Sequence, residues 1–364
     1  MNSCYVAIGS TTSTLFKLFF KNKCRIHPKY FLRIIILLQS GLWSSAFAIP
    51  EKRKYKKQIQ NSPVPAKPVF IVGHWRTGST FLHQLLIQDK KFISPSVFQV
   101  TVPDCYISIE KYYKPFMRKI MGDKRPMDNV RFGPDSPQED EFALLRMTLN
   151  SPLQSVIFPK NKGYFLLENE NFICNNSEIK KWEDTLTFFY KKLCLNNNHQ
   201  LLIKNPFHSM RIKILNKLFP DAVFIHIYRH PHSVIPSTIR MWDIIAMQNK
   251  LNNNWKKPGI QDTAVLLKKM TDKINEDLKS LDSARFTEVR YEDLDASPVE
   301  EIKKIYMHFG LDFSKQTEEN ILKFLDEEKD FKKNEHYLSK SDIEVIDEIM
   351  RDFMIDKKYN SREL

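Results

Sequence analysis

Paired cysteines are missing from this 364-residue chain. Cys4, Cys24, Cys105, Cys174 and Cys194 are odd in number, widely spaced and free of any CxxC pair, so neither a disulfide framework nor a zinc site is suggested. A reducing compartment fits them best. A long block of like charge is missing too, which removes the usual mark of a nucleic-acid-binding tail. Glycine is scarce, at 9 residues, and with the abundant Lys and Asn this is also what genome composition alone would produce. Long apolar runs are nearly absent. Ile34 to Pro50 is uncharged over seventeen residues, at the low end of what spans a bilayer as a helix, and Gln39, serines and a glycine dilute it. Basic flanks on both sides give no orientation. The run starts too far from Met1 for a typical signal peptide, although SSAFA offers small residues before a cleavage point. Residues 31–50 therefore read as a helix packed on the domain or making peripheral contact with a membrane surface, with a signal anchor or cleaved signal as alternatives. Asn175, Asn176 and Ser177 match a glycosylation acceptor, a pattern too short to carry weight.

What is present points to a globular protein. With 42% hydrophobic and 27% charged residues the chain can bury a core as one large domain, or as one domain with insertions. The formal net charge of +13 argues for anionic partners: nucleotides, sulfated or phosphorylated metabolites, nucleic acid or a membrane surface.

After the basic, Pro-containing linker EKRKYKKQIQNSPVPAK, the apolar run Val69 to Val72 predicts a buried strand ending at Gly73. A helix with Leu82, Leu85 and Leu86 on one face then follows a loop. LLIK (201–204), AVFIHIY (222–228) and FTEVR (286–290) predict three further strands. PFHSMRIKILNKLF, with Pro206 near its first position, predicts an amphipathic helix, and Val299 to Phe309 another. Strands alternating with helices predict an α/β fold with a central parallel sheet. Residues 92–200, less regular and rich in aromatics and prolines, read as an insertion forming substrate walls. The expected organisation is an N-terminal helical and basic extension over 1–67, then one domain over 68–364 carrying that insertion.

The chemistry centres on PVFIVGHWRTGSTFL. Gly73 and Gly78 have the spacing of a Walker A loop, but Ser79 fills the lysine position and Arg76 lies inside the loop. A second cluster follows the strand AVFIHIY. Arg229 stands at its carboxyl end and Ser237 at the start of what reads as a helix, so that the two can clamp one phosphate.

The order of strand, GxxxxG[ST]T loop, strand with RxPxxxxxS, and then YEDL resembles the sulfotransferases that use 3′-phosphoadenosine 5′-phosphosulfate (PAPS). The likeness runs from about Pro68 to Phe309 and is closest to the bacterial-type branch, whose C-terminal region KKNEHYLSKSDIEVI also resembles. The resemblance implies a three-layer P-loop-type fold with helical insertions. It implies that Arg76, Thr77, Gly78, Ser79 and Thr80 hold the 5′-phosphosulfate and that Arg229 and Ser237 hold the 3′-phosphate. Phe81 falls where the family often has an adenine-stacking aromatic, and Tyr291 becomes an adenine neighbour. LIKNPF resembles the NKDPF-like segment of tyrosylprotein-type sulfotransferases, which makes Lys204 a stabiliser of the transferring sulfuryl group.

A sulfuryl group carries one less negative charge than a terminal phosphoryl group, so the missing Walker lysine is accounted for without Mg2+ or a Walker B carboxylate. No metal is expected. Positioning, loop amides, Arg76 and Lys204 suffice to stabilise an in-line attack. Arg76 supplies charge, but its pKa does not suit proton donation. For the base, His74 comes first because an ordinary histidine titrates near neutral pH. Glu139, with Asp140 and Glu141 at an expected helix start, comes second, with capping as the competing role. His208 is third, and packing is its competing role.

The expected activity is sulfuryl transfer from PAPS to a hydroxyl, leaving adenosine 3′,5′-bisphosphate (PAP). The alternatives are a nucleotide-dependent kinase with a degenerate loop and a non-catalytic anion- or membrane-surface-binding protein. The apolar stretch 92–117 suggests a greasy acceptor such as a sterol or another lipid, unless those residues are ordinary core. A cytoplasmic location, with or without membrane association, is expected, and no nucleic-acid partner.

Overall fold

A computed structural model of the chain describes residues 6–121, 132–160, 166–167, 171–172, 178–195, 199–329 and 337–360. Cys4, Cys174, the Asn175–Ser177 pattern and Lys332–His336 of the C-terminal motif lie outside the described residues. The chain forms two compact units, one of residues 1–65, 94–198 and 243–256, the other of 66–93, 199–242 and 257–364. The N-terminal residues, expected as a separate extension, thus fold into one unit with most of the insertion.

The second unit is built on a five-stranded sheet of β1 (Val69–Val72), β2 (Phe92–Ile93), β3 (Gln200–Lys204), β4 (Val223–Tyr228) and β5 (Phe286–Arg290), in the order β2-β3-β1-β4-β5. All its pairings are parallel. Parallel strands covered on both faces need apolar side chains in both directions, and β1 is buried at all four positions. On one face Ile71, Ile225, Ile227 and Val289 pack with Leu82, Leu85 and Leu86 and with Ile302, Ile305 and Ile321 from two later helices. On the other, Phe70 and Phe224 stand in register and stack at 5.5 Å, with Phe219 at 6.0 Å from Phe70. Helices on both faces make three layers. The α/β, parallel-sheet expectation holds. β2 was not expected, since its two residues are too few to show a pattern.

Two helix readings are corrected. PFHSMRIKILNKLF is not one helix: Pro206–Met210 forms a 3-10 turn, Arg211 breaks it, and an α-helix spans Ile212–Leu218. Asn205 caps the turn, its side chain accepting from Phe207 N at 2.9 Å, which favours a tight start over an α-helical one. Ser237 does not begin a helix either. That helix runs Pro231–Asn249, with proline at its first position, so Ser237 lies in the second turn.

In the first unit, α1 (Thr12–Lys21) packs on α2 (Phe31–Asn61). The linker expected after Pro50 is helical as far as Asn61, with Pro50 inside the helix. Tertiary partners outweigh the proline. Glu51 is buried in an ion pair with Lys192 and accepts from Ser108 N at 2.7 Å, satisfying an orphan amide at the start of helix Tyr106–Ile120. Lys192 also donates to Pro103 O at 2.6 Å and sits 4.2 Å from the Tyr106 ring. Burial beside this cluster pushes the Asp104 carboxyl up to about 6. Much of 92–117 is core: Val97, Phe98, Val100, Val102, Cys105 and Tyr106 are buried.

Lys192→Met would leave the Glu51 carboxylate buried and unpaired, which should cost about 3–5 kcal/mol in urea unfolding. Adding Glu51→Gln to it should recover part of that loss. Equal stability of wild type and Lys192→Met would show that the pair holds nothing.

Candidate active site

Parallel register places four strand ends side by side. Ile71 pairs with Lys204, Val72 with His226, and Tyr228 with Arg290. The residues that leave these ends therefore converge: Lys204 from β3, the 73–80 loop from β1, Arg229 from β4 and Tyr291 from β5. Where an open α/β sheet reverses its winding, as here between β3 and β4 on either side of β1, the carboxyl ends form a crevice suited to ligands.

The loop's course depends on its glycines. Gly73 has φ +145°, and a Cβ there would lie 2.3 Å from Ile227 O; Gly78 has φ +93°, and a Cβ there would lie 2.1 Å from the Tyr291 ring. Ser209 pins the loop entrance, accepting from Gly73 N at 2.8 Å and donating to Gly73 O at 2.9 Å. Thr77 donates its hydroxyl to His74 O at 2.8 Å, so its side chain braces the loop from within. Ser79 and Thr80 open the helix Ser79–Leu86. Amides at a helix start attract anions.

Arg76, itself in the left-handed region at φ +68°, donates through Nε to Ser237 Oγ at 2.9 Å. Arg229 lies 4.2 Å over the Tyr291 ring. Burial lowers its pKa; the charges of Tyr291 and Glu292 oppose the shift, and that of Arg76 adds to it. Two guanidiniums, a hydroxyl and the amides at the helix start make a donor set suited to anions.

His74 is buried. Its Nδ1 donates to Trp75 O at 2.9 Å, and its Nε2 is buried with no hydrogen-bond partner among the described residues. Burial lowers its pKa to about 4, with the Trp75 carbonyl opposing, so the near-neutral titration expected of it is corrected: at pH 7 it is neutral. Trp75 is walled by Phe207 and Trp242, at 4.9 and 5.3 Å between ring centroids.

Other expected residues have different settings. Glu139 belongs to the first unit, whereas the loop belongs to the second. Its neighbour Asp140 is fully buried and accepts from Tyr190 Oη at 2.7 Å, and its side chain caps no helix. Phe81 packs against the sheet-face core. His208 is buried edge-on to Phe70 at 5.8 Å. Two neighbours of the site were missed. Ser209 carries no motif, and only the fold brings it to Gly73. His83, buried on the helix after the loop, has its pKa lowered to about 3 by burial and by the Lys204 charge.

Residues 68–315 match the sulfotransferase family. The chain belongs to that family. It is 29% identical over 344 residues, 94% of this chain and 88% of the relative, to the omega-hydroxy-beta-dihydromenaquinone-9 sulfotransferase Stf3 of Mycobacterium bovis, and equally to that of Mycobacterium tuberculosis. Its fold is similar to the crystal structure of sulfotransferase STF9 from Mycobacterium avium, with a TM-score of 0.71 at 15% identity, covering 97% of this chain and 98% of that one. It is also similar to sulfotransferase STF1 from Mycobacterium tuberculosis, with a TM-score of 0.60 at 18% identity, covering 92% and 89%. The protein is a sulfotransferase enzyme of α/β, P-loop-type fold.

The two buried histidines make a pH prediction. Their pKa values fall from 6.5 to about 4 and about 3 on folding, so between these limits the unfolded chain binds more protons and stability rises with pH. As pH drops from about 6.5, each should remove stability with a slope approaching about 1.4 kcal/mol per pH unit. Urea unfolding of His83→Gln between pH 7 and 4.5 should show a correspondingly flatter loss than wild type. Parallel curves would refute the assignment.

Proposed function

We propose that the enzyme transfers the sulfuryl group of PAPS to the hydroxyl of a lipid acceptor, with peripheral membrane contact through residues 31–50. The observation that carries the donor half is the joining of the loop and the second anion cluster by Arg76 and Ser237. The backbone amides of Thr77, Gly78, Ser79 and Thr80, with the Arg76 guanidinium, hold the 5′-phosphosulfate. Arg229 and Ser237 hold the 3′-phosphate, and Phe81 and Tyr291 lie on the adenine side. Remote binding of the 3′-phosphate keeps the sulfuryl group in register for attack.

His74 acts as the base. With Nδ1–H committed to Trp75 O, the lone pair on Nε2 is the one free to take the acceptor's proton. The acceptor oxygen bonds to sulfur as the bond from sulfur to the bridging phosphate oxygen breaks, and PAP leaves with the negative charge. Arg76 and Lys204 stabilise the charge that develops. A lipid acceptor is supported by the relative whose name specifies an omega-hydroxylated dihydromenaquinone.

Transfer of radiolabelled sulfate from PAPS to hydroxylated isoprenoids, sterols and simple alcohols tests this. Arg229→Ala and Arg76→Ala should each weaken PAP binding by roughly tenfold or more, as expected for charge-assisted hydrogen bonds of about 1.5–3 kcal/mol. PAP binding no tighter than AMP, or turnover of Mg-ATP in its place, would overturn the donor assignment. His74→Gln should lower kcat by roughly 10²–10⁴-fold. Wild-type kcat/KM should lose activity only as pH falls toward 4, where Nε2 becomes protonated. If Glu139→Gln is the more damaging change, Glu139 is the base and His74 is structural.

A further inference from the structure

Helix α2 is built inside out. Its buried side carries Gly41, Ser44 and Glu51 beside Ile34 and Leu37, while Phe31, Leu32, Leu42, Trp43 and Ile49 are each more than half exposed. Trp43 and Phe47 stack on this outer side at 6.1 Å. Phe16 and Phe20 of α1 stack likewise at 6.3 Å and are 48% and 70% exposed. Only 17% of the most apolar stretch of the Pro28–Asn61 helix is buried. A surface helix in water normally shows the reverse pattern, and exposed apolar area of this extent marks an interaction site.

Charge identifies the partner. Residues 1–60 contain one carboxylate, Glu51, against eleven Lys and Arg. Glu51 is buried against Lys192, so the exposed side-chain charge of α1, α2 and their connection is all positive. The cations lie at the ends of the apolar face. Lys17, Lys21, Lys23, Arg25 and Lys29 stand at one end, and Lys52 to Lys57 at the other. Aromatic and aliphatic side chains between basic collars suit a helix lying in the interface of a bilayer with anionic headgroups.

The inner side ties α2 to the rest of its unit by contacts that a spanning helix would forfeit. Gly41 lets Leu15 approach: a Cβ at 41 would lie 2.7 Å from Leu15 Cδ1. Ser45 Oγ accepts from Thr12 N at 2.8 Å, and Ser40 Oγ from Gly9 N at 3.3 Å. Arg33 donates to Met247 O and Lys250 O at 2.9 and 2.8 Å. A helix crossing alone would give up these bonds and carry Glu51 out of its ion pair.

We propose that α1 and α2 form a monotopic wedge that inserts the face carrying Phe20, Leu42 and Trp43 into one leaflet of an anionic bilayer without spanning it. The proposal deepens the membrane contact suggested above and is independent of the transfer chemistry.

The test uses the full chain with vesicles of phosphatidylcholine alone or with 30% phosphatidylglycerol, sedimented without donor or acceptor. Wild type should bind the anionic vesicles and be largely released by 0.5 M salt. Leu42→Glu/Trp43→Glu, both at exposed positions, should weaken binding by roughly tenfold or more. That variant should retain wild-type activity on a water-soluble alcohol, which separates a failed wedge from a failed sulfotransferase reading. No binding to anionic vesicles, or binding unchanged in the double variant, overturns the proposal. So does sedimentation as a dimer that the double variant abolishes, since a second copy would then cover the face. Resistance to alkaline carbonate extraction from cell membranes overturns it in favour of a spanning helix.

Discussion

The candidate active site depends on β1 being flanked in parallel by β3 on one side and β4 on the other. That pairing brings the loop, Lys204 and Arg229 to one edge of the sheet, and it sets how little room the loop has. Ile227 O leaves no space for a side chain at Gly73, and the Tyr291 ring leaves none at Gly78. A loop confined on both sides presents its amides in one arrangement before any ligand arrives, which is the condition under which electrostatic stabilisation costs no reorganisation. Ser209, from the turn after β3, extends the same constraint to the loop entrance.

The electrostatics of the site follow from burial. Burial is the larger reason that the Arg229 pKa is lowered; the nearby Arg76 charge adds to the shift, and Tyr291 and Glu292 oppose it. His74 and His83 are buried, with pKa values lowered to about 4 and about 3, so at neutral pH they do not add to the positive charge around the loop.

How much of this was legible depended on the range of the forces involved. β1, β3 and β4 were readable because strands covered on both faces have to be almost wholly apolar, whereas β5, at the sheet edge with Val289 its one buried residue, was readable from alternation. The places of Arg76 in the loop after β1 and of Arg229 just past β4 were readable because the flanking sequence is local. β2 is too short to have a period. The helix past Pro50 depends on Lys192, far along the chain, and no local propensity announces that partner. Ser209 and His83 meet the loop and Lys204 only through strand register, which a single sequence does not display. Pro231 opens that helix and puts Ser237 one turn inside it, a position that the hydroxyl's chemistry alone does not announce.

The Glu51–Lys192 pair does more than hold two helices. It sorts charge by sign: the N-terminal segment has one carboxylate, and folding withdraws it from the surface while the neutralising cation comes from a distant helix. The unfolded segment carries its acid in solvent among its bases, and the folded one shows cations alone around an apolar strip. Folding of this unit is therefore what produces a surface of single polarity.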